Sequence, residues 1–179
     1  MPLTIVLPDT ATRDAIDDAI AAAELKLTNL VAESPTHPRQ IIASSPLGFA
    51  TFVEDARLGV RYVVVDGTAA GEIAGRLEAR LGSIRWADVE ARATSNTASD
   101  RAWALRYAVA FHTPERAEQL LVRGLHDSDL LVRRVAVVAL PYALTAAVRT
   151  ALAQRAKAEP DGALRAKIDK LVDDLGRPS

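Results

Sequence analysis

The chain has 179 residues, with 22 Lys and Arg against 23 Asp and Glu, and it contains no cysteine. That length can bury a core without covalent staples, and the missing thiols exclude a disulfide scaffold, a thiolate metal site and a cysteine nucleophile. No basic segment leads into a long apolar run near the start and no stretch of about 18 apolar residues occurs, so the expectation is a soluble, unprocessed, cytoplasmic protein.

Residues 3–7 (LTIVL) form a short β-branched run closed by Pro8, and Asp9, Thr10 and Thr12 follow as possible helix caps. From residue 11 to 31, apolar side chains at Ile16, Ala19, Ile20, Ala23, Leu27, Leu30 and Val31 keep helical spacing, which predicts one amphipathic helix. Residues 33–39 carry two prolines around His37 and break that pattern into an exposed loop. Strands are expected at 40–44, 48–54 and 60–65, joined by links short enough for an antiparallel meander. A second helix is expected at 69–81, where Ile73, Leu77 and Leu81 recur. Residues 1–82 therefore read as a β-α-β-β-β-α unit, giving an α+β chain with helices on one face of a mainly antiparallel sheet.

After Ser83 the strand signals vanish. Helical stretches are punctuated at 94–99, 112–114, 126–129, 141–142 and 159–162, which implies an all-α second domain over 83–179. Charge changes sign along the chain as well. Residues 1–91 carry 8 Lys and Arg against 13 Asp and Glu, a balance of −5, while 92–179 carry 14 against 10, a balance of +4. Such a split suits units that attract each other or face different partners, and charge scattered over a helical array produces it too.

The later half aligns with itself at a shift of 32 residues. Arg101 then matches Arg133 and Arg165, and Ala104 matches Ala136 and Ile168. The same shift pairs Ala108 with Leu140 and Val172, Leu120 with Leu152, and Asp129 with Asp161. A fixed period of this size marks stacked helical hairpins, expected at 83–111, 114–142 and 145–175. Small residues at 104 and 136 would let stacked helices approach closely. The recurrent arginine would donate to carbonyls of the preceding turn or to an aspartate in an adjacent joint, forming a ladder.

The segment HDSDLLVRRVAVVAL (126–140) resembles the second helix of HEAT-like repeats of the phycobilisome-lyase type, on Asp127, Asp129, Val132, Arg133, Ala136, Ala139 and Leu140. The first copy has Asn96-Thr97 in place of the aspartate turn, and the third has Ile168 where alanine is expected. The resemblance covers half the chain and implies a short α-solenoid acting as an interaction scaffold, with Arg133 and Asp129 structural. It says nothing of residues 1–82.

Gly67, Gly71 and Gly75 match neither phosphate-loop fingerprint, and Gly71 and Gly75, four apart, read instead as glycines that let a helix pack closely on a sheet. His37, His112 and His126 lack metal-ligand spacing, and the His-Glu dipeptides of di-iron hydroxylases on HEAT-like repeats are missing. Asp17-Asp18, Glu54-Asp55 and Asp173-Asp174 are sequence neighbours that do not face each other on a helix. No catalytic residue, cofactor or metal is therefore expected.

The leading expectation is a non-catalytic protein-interaction module: a scaffold, an adaptor or a bacterial immunity-type partner. Its contact residues would be His37, His112, Glu115, Arg116, Arg123, Asp127 and Tyr142, meeting another protein. The alternative is an enzyme or small-ligand binder using a cleft between the halves near Trp86 and Trp103. Weak nucleic-acid binding stands third, because an excess of +4 with ten interleaved acids holds phosphate poorly.

Overall fold

The β-branched runs of the first half pair into a five-stranded antiparallel sheet in the computed structural model, which describes residues 2–34 and 37–176. The chain divides into two units, Met1–Trp86 and Ala87–Ser179. The break at 86/87 falls slightly beyond the expected 82/83. Counted on these units the charge is 8 against 11 and 14 against 12, so the difference in sign persists but narrows to −3 and +2.

The first unit runs β1 (Leu3–Leu7), α1 (Arg13–Ala22), β2 (Lys26–Val31), β3 (Arg39–Ser45), β4 (Gly48–Asp55), β5 (Val60–Gly67) and α2 (Ala70–Leu81). Its sheet order is β1-β5-β4-β3-β2. One core joins α1 and α2 to a single face of the sheet, through Ile16, Ile20, Ile73 and Leu77 against Ile5, Ile41, Phe52 and Val63. The expected strands at 3–7, 40–44, 48–54 and 60–65 and the helix at 69–81 are present. So is a cap, since the Thr12 hydroxyl accepts the Ala15 amide.

The helix expected over 11–31 is two elements. It ends at Ala22, because the chain turns there in a Schellman-type closure: Glu24 donates to the Ala21 carbonyl and Leu25 to the Ile20 carbonyl, each at 3.0 Å. Glu24 supplies the left-handed residue with φ 57°, a conformation usually left to glycine. Residues 26–31 then form β2, at the edge of the sheet beside β3, with a bulge between Leu27 and Asn29. The unit is thus β-α-β-β-β-β-α.

Gly67 closes the first unit's tightest approach. Its φ is +123°, and a Cβ there would lie 2.4 Å from the Gly48 Cα and 2.7 Å from the Leu47 carbonyl oxygen. Gly71 and Gly75 are different. Both lie exposed on α2 with nothing within 4 Å of a built Cβ, so the expectation that they permit close helix–sheet packing is corrected.

The second unit is helical. It runs α3 (Trp86–Ala93), α4 (Ala98–Ala110), α5 (Pro114–Leu125), α6 (Leu130–Ala139) with a 3-10 turn (Leu140–Tyr142), α7 (Ala146–Ala158) and α8 (Gly162–Gly176). Within the stack α5 packs on α6 and α7 on α8, while α4 lies against α6 and α5 against α7. Ala104, Ala108 and Ala136 are fully buried. A Cβ on Gly124 would meet Leu105 at 2.6 Å and Ala136 at 3.2 Å, so small residues set the spacing of these helices. Among the described residues no helix is long and apolar enough to cross a membrane.

The glycines give a direct check by urea unfolding. Gly67→Ala should destabilise by about 1–3 kcal/mol, through strain and overlap. Gly75→Ala should instead stabilise by about 0.5–1 kcal/mol, as an exposed helix-interior glycine becomes alanine.

Candidate protein-docking face

Three joints, each leading into the second helix of a hairpin, carry the same hydrogen-bond pattern 32 residues apart. In each, an oxygen-bearing side chain accepts the amide two residues on: Ser95 from Thr97 at 3.2 Å, Asp127 from Asp129 at 2.8 Å and Glu159 from Asp161 at 3.0 Å. Thr97, Asp129 and Asp161 then cap the amides at the start of α4, α6 and α8. An arginine one turn further along reaches back to the joint. Arg101 donates to the Ser95 carbonyl, Arg133 to that of Asp127 and Arg165 to that of Glu159, at 3.0, 3.1 and 2.8 Å.

The first two arginines also reach forward to the next joint. Arg101 makes a bidentate pair with Asp127 at 2.8 and 2.9 Å, and Arg133 does the same with Glu159 at 3.0 Å on both arms. The Arg133–Glu159 side chains are 7% and 0% exposed, and Arg155 adds a third donor to Glu159 at 2.8 Å. Burial is the largest single influence on Glu159 and opposes its ionisation. The hydrogen bonds from Arg133, Arg155 and the Asp161 amide together outweigh it and hold the carboxyl down at about 2. Hydrogen bonding from Arg101 likewise holds Asp127 below the usual carboxylate range.

This ladder orients α6 about its own axis and so decides what it leaves outside. Val132, Arg133, Ala136, Val137 and Ala139 turn inward and are buried. At about 100° per residue, positions 131 and 138 fall within about 20° of each other on the opposite side, and Tyr142 follows in the 3-10 turn. Leu131, Val138 and Tyr142 are accordingly 48%, 41% and 37% exposed. Arg134 lies beside them, its guanidinium 3.6 Å from Asp161. Apolar side chains aligned on one exposed helix face mark a contact surface far better than single scattered ones do.

The expected contact residues separate into groups. Tyr142 belongs to this outer face. His112, Glu115 and Arg116 are exposed around the α4–α5 turn, where His112 has φ 51°. Arg123 borders the small hollow that holds Arg101 and Asp127. The Asp127 carboxylate is paired with Arg101 in the ladder. His37 lies in the first unit, in a loop closed by the Ser34 amide on the His37 carbonyl at 3.0 Å. Trp103 stacks on Tyr107 at 4.2 Å between ring centroids and sits under Arg92 at 4.1 Å, so its ring is engaged inside the second unit.

A cleft of about 390 Å³ opens in the first unit, lined by Asp9, Glu33, Arg39, Glu54 and Arg61. Its floor is a cross-strand row in which Glu54 sits between Arg39 at 3.3 Å and Arg61 at 3.2 Å. Arg61 also donates to the Ala11 carbonyl at 2.7 Å, tying β5 to the approach of α1. The row stitches the end of the sheet together. Among the described residues no three His, Asp or Glu side chains converge as metal ligands. No protein-family model, curated protein or solved structure matches the chain.

The ladder has a pH signature. Because the Glu159 carboxyl is depressed on folding, its contribution is present above the ordinary value of 4.5 and is lost as pH falls towards about 2. Urea unfolding followed by circular dichroism should show stability dropping across that window. Glu159→Gln should lower stability at neutral pH and flatten the drop, and an unchanged pH profile would contradict the assignment. Arg133→Ala should cost about 3–5 kcal/mol, more than Arg101→Ala, because only the Arg133 pair is almost wholly buried.

Proposed function

We propose that the chain is a non-catalytic protein-interaction module, a scaffold, adaptor or immunity-type partner whose second unit is a short HEAT-like stack. The observation that carries this reading is the outer face of α6, where Leu131, Val138 and Tyr142 remain exposed on a helix whose opposite side is packed. A helix that is apolar on both sides has more hydrophobic surface than its own domain consumes. The 32-residue recurrence of joint side chain, cap and arginine supports the HEAT-like reading, since repeat stacks need such identical joints to propagate. A cysteine-free chain suits work in the cytoplasm.

Nucleic-acid binding is disfavoured by where the cations are spent. Arg101, Arg133 and Arg155 are bound into the ladder and Arg134 faces Asp161, so these charges are offset before any phosphate arrives. Glu54 is paired on both sides with guanidiniums, Arg39 and Arg61.

Affinity capture with the full chain from cells that express it tests the reading. A stoichiometric protein partner is expected, retained by Arg116→Glu and Arg123→Glu and lost with Val138→Asp. Recovery of no stoichiometric protein would remove the proposal. Loss with the arginine variants alone would move the interface to the α5 side.

A further inference from the structure

Three sets of repeat-equivalent positions on α4, α6 and α8 differ in chemistry between the centre and the flanks. At positions 99, 131 and 163 the residues are Ser, Leu and Ala; at 106, 138 and 170 they are Arg, Val and Lys; at 103, 135 and 167 they are Trp, Val and Lys. The central helix thus offers an apolar strip of Leu131, Val138 and Tyr142. On α8 the exposed Lys167 and Lys170 occupy the equivalent positions. Asp174, equivalent to Tyr142, places one acid one turn beyond Lys170 on α8.

The sign of the flanks and the shape of the centre restrict what can cover this surface. A strip presenting residues at i, i+7 and i+11 matches one face of another helix, whose own apolar residues recur at the same spacing. The two α8 lysines attract carboxylates and repel a basic partner, and such rim charges select the partner and speed its approach. A second copy of this face would set Lys167 and Lys170 against like charge. Resting on the reading of the chain as an interaction module, we infer that the outer face of α6 and α8 docks an acidic amphipathic helix of a partner protein. The partner's apolar stripe lies along Leu131, Val138 and Tyr142. Its Glu or Asp side chains on the α8 side meet Lys167 and Lys170.

The α8 end of the stack is built differently, which limits the docking strip to one side. Leu105 and Val137 are buried, and the equivalent residue on α8 is the exposed Asp169. Polar residues at that position finish the stack on its end face. The apolar surplus therefore lies on the outer side of α6, and not at the end of the array.

The test uses the full chain and a labelled synthetic helix with Leu at i, i+3 and i+7 and Glu on both flanks, read by fluorescence anisotropy. Saturable binding at micromolar concentration is expected. Val138→Asp should weaken it by about 10-fold or more, as for a central anchor. Lys167→Glu/Lys170→Glu should weaken it with a reduced salt dependence, and a peptide with Lys in place of Glu should not bind. Because both sites are exposed, circular dichroism and the unfolding midpoint should match the parent, so lost binding is not lost folding. Absence of saturable binding, equal binding of the Lys peptide, or indifference to Val138→Asp would overturn the inference. Preferential binding of a short DNA duplex, or self-association abolished by Val138→Asp, would also overturn it. A cellular partner captured independently of Val138 would overturn this inference while leaving the interaction-module reading in place.

Discussion

A buried carboxylate shared by three donors from three places in the chain is the constraint on which the helical unit depends. Glu159 sits at the α7–α8 joint with no exposed side-chain surface. Alone it would be prohibitively costly to ionise there. Arg133 from the preceding hairpin, Arg155 from its own first helix and the amide of Asp161 meet that demand together. Every donor is satisfied only when adjacent hairpins are in register, so the interaction specifies geometry more than it adds stability. The less buried Arg101–Asp127 pair repeats the device one joint earlier.

Register has a consequence for the surface. A helix packed only by apolar contacts can rotate by some tens of degrees at small cost, because neighbouring aliphatic side chains substitute for one another. A bidentate guanidinium–carboxylate pair tolerates much less. By holding Arg133 in place, the ladder holds Leu131, Val138 and Tyr142 on the outside. The packed side and the exposed apolar side therefore lie opposite each other on one ten-residue helix, α6.

Much of this was legible in the sequence. The β-branched runs at 3–7 and 60–65 could only be strands, and Arg101, Arg133 and Arg165 announced their own period. The acceptors were hidden because Ser95, Asp127 and Glu159 are three different residues with one job, supplying an oxygen to the amide two positions on. Equivalence there is geometric and leaves no identity to align. The false helix over 26–31 has a similar cause. Leu27, Leu30 and Val31 continue the spacing of α1, and the turn that interrupts them uses Glu24 rather than the glycine that would have signalled it. The outer face of α6 was concealed because LLVRRVAVVAL is apolar on both sides, and periodicity alone does not say which side is packed. Only the direction taken by Arg133 decides that.

The central claim is that the Arg133–Glu159 pair couples adjacent hairpins, and a double-mutant cycle measures that coupling without reference to any partner. Arg133→Leu, Glu159→Leu and the double variant would be unfolded in urea at neutral pH. A coupling energy of about 2–3 kcal/mol is expected, with the double variant far more stable than the sum of the single losses. Losses that add to within about 0.5 kcal/mol would show that the pair is incidental and that apolar packing alone sets the register.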